Sequence, residues 1–389
     1  MRILLVSDWM TFAGGSEAYI VDLKQWLQDA GDEVHLLTCG TDGPAKADAR
    51  AFGTDNTIAQ AALQLFNPFA VARLRSVVRE FRPDAALVSH FAFHLSPAIL
   101  PALQRVPTII SVMDYKYVCP LGSKLLPDGT ICRVPAGAVC RQGGCVSGLH
   151  WLRDQPRYAL LRMALGRASR IVCPSRWMQG ELSRNGVESD CIPLPVSGPT
   201  TGFARTPARH PTFVFVGRLS REKGVDLLLR AFGAVVRNHA GARLRVVGDG
   251  PLEAETHALA ATLGLSSSVD FTGRLPRSGV EAMLADAWAL VAPSTWAEPY
   301  GMVVAEAILC GVPVVATSTG GFAETVDPGV SGLLVPNGDR AGLERALDDV
   351  ASGRAFPQHS IAGDATARLA ERLRPDRHVQ RLHSLITPS

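Results

Sequence analysis

The chain has 389 residues, 47% of them hydrophobic and 19% charged, a balance that supports buried cores and excludes a disordered chain. That length exceeds one compact core of ordinary size, so two domains are expected. Thirty-nine basic residues against 36 acidic ones leave a net charge of +3, too little to point to a nucleic-acid partner through bulk charge.

The apolar run at 2–6 predicts a strand buried on both faces. It meets Ser7 and Asp8 too soon to be the apolar region of a signal peptide. No run of about 18 apolar residues predicts a membrane span, so a cytosolic location is expected. Gly14 and Gly15 separate this strand from a helix predicted at 17–30. A glycine there lets a ligand approach the backbone, and the helix start offers N–H groups to a phosphate or sugar oxygen; an ordinary tight turn is the alternative. Further strands are predicted at 34–38, 85–89, 108–112 and 171–173, with a helix ending near 184. This alternation is the pattern of a parallel, doubly wound sheet.

His90 and His94 follow the strand at 85–89, and Met113-Asp114-Tyr115 follows the strand at 108–112. Asp114 is a candidate for orienting an acceptor hydroxyl. Four cysteines, Cys119, Cys132, Cys140 and Cys145, fall in a Gly- and Pro-rich stretch. Four thiolates suit a structural tetrahedral zinc site, although no Cys-x2-Cys knuckle is present. Unliganded thiols, disulfides or an iron–sulfur cluster remain open alternatives. Cys39, Cys173, Cys191 and Cys310 read as inert buried thiols. From 149 to 170, Arg153, Arg157, Arg162 and Arg167 alternate with Leu, Tyr and Met. Such a segment either leans on an anionic membrane or lipid phosphate, or packs on its own sheet with the arginines in solvent.

Five prolines between 193 and 211 break the alternation and read as a linker. The strand–helix pattern then resumes with strands predicted at 212–216, 244–247, 269–272, 289–292 and 314–317, and a helix at 225–237. The expected fold is α/β, with two Rossmann-like parallel-sheet domains facing a central cleft, and ligands at the carboxyl ends of the strands. The expected boundaries are 1–195 with a cysteine-containing insertion at 119–145, a linker at 196–210, a second domain at 211–365, and a C-terminal helix at 366–389 crossing back to the first domain.

Arg218 and Lys223 follow the first strand of the second domain. Arg218 offers a planar fork of donors to phosphate oxygens and Lys223 a mobile point charge, so together they would stabilise a departing diphosphate without a metal. Two solvated loop charges are the plainer reading of this pair alone. Glu298-Pro-Tyr-Gly301 leads into a predicted helix, where Gly301, Met302 and Val303 would present unpaired N–H groups to an anion. Glu306, farther along that helix, can accept two hydrogen bonds from a ribose diol, and Glu298 can meet sugar hydroxyls. Gly248-x-Gly250 is followed by Glu253 where a dinucleotide loop would need a third glycine.

The motifs Gly217-Arg218…Glu222-Lys223-Gly224, Val247-Gly248-Asp249-Gly250-Pro251, Phe271-Thr272-Gly273, Glu298…Glu306, Gly311-Val312-Pro313 and Gly320-Gly321…Glu324 occur in that order. With Gly332 to Val335 they make residues 213–325 and their flank resemble the retaining GT-B glycosyltransferases of glycosyltransferase family 4. The resemblance implies that Arg218 and Lys223 hold the diphosphate of a UDP- or GDP-sugar, Glu298 the transferred sugar and Glu306 the ribose. It supports a ligand role for Gly15. It also implies transfer to a saccharide or lipid-linked saccharide by a front-face route, in which the departing phosphate takes the acceptor proton and no cofactor is required. Where relatives often carry a histidine that contacts the donor sugar, this chain has Met113; His90 is the expected substitute. A nucleotide-sugar epimerase and a non-catalytic nucleotide-sugar-binding protein are the alternative readings.

Overall fold

The structure is a computed structural model that describes residues 1–8, 15–39, 47–54, 56–92 and 94–386. It divides into two compact units, Met1–Pro195 with Pro375–Ser389, and Val196–Arg374.

The first unit runs β1 (Arg2–Ser7), α1 (Gly15–Asp29), β2 (Glu33–Cys39), β3 (Ala49–Ala51), α2 (Thr57–Leu63), α3 (Pro68–Phe81), β4 (Ala85–Val88) and β5 (Thr108–Ser111). It continues through α4 (Ala138–Gln142), α5 (Gly148–Leu165), β6 (Arg170–Cys173), α6 (Arg176–Arg184) and β7 (Asp190–Cys191). Its sheet has the order β3-β2-β1-β4-β5-β6-β7, with every pair parallel. Ile3, Leu4, Leu5 and Val6 are buried because β1 lies mid-sheet, paired with β2 on one side and β4 on the other. Asn67 starts α3 by accepting from the Ala70 N–H at 3.0 Å, and Pro68 fits the first turn, where no N–H is needed.

The second unit runs β8 (Thr212–Val216), α7 (Val225–Asn238), β9 (Arg243–Val247), α8 (Glu253–Thr262), β10 (Val269–Gly273), α9 (Arg277–Ala285) and β11 (Ala289–Ala292). Then come α10 (Met302–Leu309), β12 (Val314–Thr317), α11 (Phe322–Thr325), β13 (Gly332–Val335), α12 (Arg340–Ala351) and α13 (Gly363–Arg372). The sheet order is β10-β9-β8-β11-β12-β13, again parallel throughout. Leu228, Leu229 and Phe232 of α7 pack with Phe213 and Phe215 of β8 in one apolar core.

Both sheets therefore reverse direction beside their first strand, at β1/β4 and at β8/β11. Loops leaving the carboxyl ends of such a strand pair diverge to opposite faces and leave a crevice, which is where ligands of open α/β sheets bind.

Two boundaries differ from the sequence expectation. The proline-rich segment 196–210 is not a free linker but part of the second unit. Thr206 N donates to Ala285 O and Ala208 N to Asp286 O, each at 2.9 Å, while the Arg205 guanidinium donates to the carbonyls of Gly311, Ala287 and His359. Prolines remove regular ladders, yet the remaining backbone donors still find partners on the sheet's flank. The C-terminal return begins at Pro375, not 366: Thr366 Oγ1 of α13 donates to Ile308 O of α10 at 3.3 Å, and only α14 (Pro375–Ile386) joins the first unit.

Candidate active site

In the second unit, Arg218 and Lys223 lie on the loop leaving β8, and Glu298 on the loop leaving β11, the two sides of the switch point. Lys223 Nζ is 2.7 Å from Glu298 Oε1. The other carboxylate oxygen, Oε2, accepts from Trp296 Nε1 at 2.6 Å and from Ser294 Oγ at 3.1 Å. Glu298 is thus buried with both oxygens engaged, and the ammonium of Lys223 also stands 5.5 Å from the centre of the Trp296 ring. Arg218 is exposed. Asp249, on the neighbouring loop after β9, has its carboxyl held below the usual range, first by the hydrogen bond from Arg274 and further by the field of Arg218. The loops at 217–219 and 248–252 are tied together by Leu219 N to Asp249 O at 2.8 Å and Leu252 N to Leu219 O at 2.9 Å. Gly248 and Gly250 are therefore packing positions here, which accounts for them without a dinucleotide.

Two glycines fix the carboxylate loop. Gly320 has φ +69, and a Cβ there would fall 2.2 Å from Glu298 O; the close approach lets residues 298 and 320 pair and lets Gly321 N donate to Glu298 O at 2.7 Å. Gly301 has φ +85 and abuts the Phe322 ring, where a Cβ would sit 2.1 Å from a ring carbon. Gly301 caps α10, so Met302 and Val303 form its first turn and carry N–H groups without intrahelical partners, as expected of an anion site. Glu306 lies one turn on, half-buried.

In the first unit, Gly15 opens α1, and Gly14 lies outside the described residues. Asp8, fully buried just beyond β1, accepts from the backbone N–H groups of His94 and Leu95 at 2.8 and 2.7 Å. That carboxylate fixes the loop after β4 that carries His90. Ser89 Oγ stands 3.2 Å from His90 Nδ1 and donates to Met113 Sδ at 3.4 Å, so one hydroxyl joins the methionine to its expected substitute. Asp114 accepts from Lys116 N at 2.8 Å, which commits one oxygen to capping the short turn at 115–117. Burial pulls the Lys116 ammonium below its ordinary value, opposed by Asp114 and Asp8. His94 is buried, and its carbonyl accepts from Asn67 Nδ2 at 2.6 Å, a structural role.

Cys119 and Cys140 are buried, Cys132 and Cys145 partly exposed, and none is in a disulfide. They gather in one region: burial first, then the neighbouring Cys140, Cys132 and Cys119, raises the Cys145 thiol above its usual value. Among the described residues, no three His, Cys, Asp or Glu side chains stand as ligands of a metal ion do. The arginines of this segment divide: Arg157 of α5 donates to Ala92 O at 3.3 Å, while Arg153 and Arg162 of α5 and Arg167 just beyond it are exposed.

Sequence reasoning missed Trp296, Ser294, Asp8, Ser89 and Lys116. Asp8 carried a readable signal, a carboxylate directly after a buried strand; Trp296 and Ser294 had none, since only the folded loop turns them onto Glu298.

The profile of Glycosyltransferase Family 4 matches residues 13–197, and that of Glycosyl transferases group 1 matches residues 203–365. A D-inositol 3-phosphate glycosyltransferase of Kribbella flavida is 38% identical over 384 residues, covering 92% of this chain and 84% of that protein. The chain belongs to glycosyltransferase family 4. Several other relatives match over less than half of their length: the D-inositol 3-phosphate glycosyltransferase of Corynebacterium jeikeium is 37% identical over 193 residues, 44% of this chain and 46% of that protein. Among solved structures, sucrose-phosphate synthase from Thermosynechococcus elongatus superposes with a TM-score of 0.73 at 22% identity, covering 99% of this chain and 98% of that one. Anabaena Alr3699/HepE in complex with UDP does so with a TM-score of 0.70 at 20% identity, covering 99% of each chain. These likenesses show the two-domain GT-B fold. No described helix is long and apolar enough to cross a membrane.

Proposed function

We propose that this protein transfers a sugar, with retention, from a UDP- or GDP-sugar to a saccharide or lipid-linked saccharide, without a metal at the donor site. The observation that carries the reading is the convergence of Lys223, Glu298 and the start of α10 at the β8/β11 switch point, with Arg218 on the same loop as Lys223. Arg218 and Lys223 would neutralise the diphosphate as its bond to the sugar breaks, and the first N–H groups of α10 would add fixed dipoles aimed at the same charge. Glu298, held by Trp296 and Ser294, would orient sugar hydroxyls and keep the Lys223 ammonium in place. Glu306 would take the ribose. In the first unit, Gly15, His90 and Asp114 are the residues we propose for ligand contact. The leaving phosphate would take the acceptor proton, so no activated nucleophile is needed.

The solved relative in complex with UDP supports a nucleotide-sugar donor. A peripheral contact with an anionic membrane is supported by α5, where Leu149, Leu152 and Met163 are exposed beside Arg153 and Arg162. A structural zinc ion on Cys119, Cys132, Cys140 and Cys145 is a separate proposal; the donor set suits zinc, and the thiols would have to close on the ion. Incubation with a panel of nucleotide sugars, with NMR of the product's anomeric centre, tests the central reading. Tight nucleotide binding without hydrolysis or transfer of any donor would overturn it, and an inverted product would overturn retention.

A further inference from the structure

A cavity of about 310 Å³ lies wholly within the first unit, between the cysteine-containing insertion, α5 and the end of α6. Its volume falls at the lower end of the range for small-molecule pockets, roughly 300–1,000 Å³. One face of α5 supplies Trp151, Tyr158, Arg162 and Leu165 at helical spacing, and the insertion closes the other side. The insertion is clipped down by a buried ion pair, Lys124 Nζ to Glu181 Oε2 at 3.2 Å, and by Ala136 N donating to Asn185 Oδ1 at 2.9 Å.

Three observations bear on the occupant. Trp151 Nε1 and the Tyr158 hydroxyl are buried without a hydrogen-bond partner among the described residues, which is costly unless a ligand oxygen or water meets them. Burial holds the Tyr158 phenol protonated, and an indole N–H only donates, so both groups call for an acceptor. Arg162 adds a cation, whereas the one carboxylate on the wall, Asp154, is paired with Arg153 at 2.8 Å. Beyond the cavity, Leu149 and Leu152 of α5 and Val139 of the insertion are exposed, continuing the apolar surface outward. Finally, Tyr117 is a shared wall: it lines the cavity, and its hydroxyl donates to Ser89 O at 2.9 Å, beside His90 and Met113.

We propose that this cavity holds the apolar aglycone of the acceptor, a hydrocarbon chain carrying a phosphate, with the chain against the aromatic wall and the phosphate oxygens on Trp151, Tyr158 and Arg162. The proposal rests on the sugar-transfer reading and narrows its acceptor to a lipid-linked one.

The test is calorimetric titration of the full chain with farnesyl phosphate, dodecyl phosphate, farnesol and inorganic phosphate, each below its micellar concentration. Both chain-bearing phosphates should saturate, inorganic phosphate should not, and farnesol should bind at least about tenfold more weakly than farnesyl phosphate. Equal binding of the two phosphates assigns a chain of any kind, and a preference for one assigns an isoprenoid or an alkyl source. Leu165→Trp, which fills the cavity, should weaken binding about tenfold or more; Tyr158→Phe, which deletes a single hydroxyl, should weaken it severalfold and guards against misfolding of the larger variant. Unchanged affinity in both variants, full competition by inorganic phosphate, or binding of none of the four overturns the proposal. Nucleotide-sugar hydrolysis is measured in parallel: binding without any donor turnover sinks the transferase reading, and with it the acceptor role though not the cavity's ligand class, whereas turnover without binding sinks the cavity alone.

Discussion

The hydroxyl of Tyr19 lies 2.8 Å from Nε2 of His378, joining α1 to α14 across 359 positions of sequence. Nδ1 of the same ring is 3.0 Å from the carbonyl of Pro193, which can only accept, so Nδ1 carries the proton and Nε2 accepts from the phenol. Burial pulls His378 down from 6.5 to about 4. The unfolded ring therefore binds a proton that the folded ring refuses. The stability due to the neutral ring is fully present above 6.5 and is lost as pH falls toward 4. A shift of this size is on the order of 3 kcal/mol. Denaturant unfolding at about pH 7.5 and about pH 5 should show the loss, and His378→Gln should flatten it. Equal pH dependence in the two proteins would count against the assignment.

Lys223→Ala removes the cation proposed to meet the diphosphate and leaves Glu298 without its charged partner. A fall in kcat of about 100-fold is expected. Glu298→Gln keeps an acceptor for Trp296 and Ser294 but discharges the partner of Lys223, and Glu306→Ala removes the carboxylate proposed to take the ribose; each should cost about as much. Steady-state rates with the best donor decide it, and near-wild-type activity in Lys223→Ala and Glu306→Ala together would discard the donor site.

Gly320 and Gly338 both have positive φ, +69 and +72, but only Gly320 has backbone where a Cβ would go. Gly338→Ala should cost about 1–2 kcal/mol of stability and leave nucleotide affinity unchanged. Gly320→Ala must push the Glu298 loop away and should weaken nucleotide binding about tenfold or more, in excess of its effect on melting. Equal affinities in the two variants would show that the Glu298–Gly320 pairing does not position the donor site.

Elemental analysis of purified protein bears on the four cysteines. About one zinc per chain, lost in Cys132→Ser, is the expected outcome of the zinc proposal. Metal-free protein whose Cys132 and Cys145 alkylate readily would refute it.

Much of this fold was written in local patterns. The apolar runs at β1, β8, β11 and β12 are long enough to be read, and their parallel order follows from the helices between them. β3 and β7, with three and two residues, are too short to show a period, and their pairing comes from neighbouring strands. In the candidate site, Arg218, Lys223, Glu298 and Glu306 could be picked out because charged residues recur at strand ends in a known spacing. The pairing of Lys223 with Glu298 could not, because 75 residues separate them and only the switch point brings their loops together. The linker was misread for a related reason: prolines signal the absence of regular structure, and say nothing about whether the segment packs.

The division of the chain has a practical corollary. Val196–Arg374 is one uninterrupted stretch, whereas the other half is assembled from both ends, with α14 seated on α1 and His383 Nε2 2.7 Å from Asp32 Oδ2. The Val196–Arg374 half can therefore be excised as a single gene fragment, and its neighbour cannot. Removing Pro375–Ser389 would injure the half built around β1 and α1, through contacts that span 351 and 359 residues of sequence.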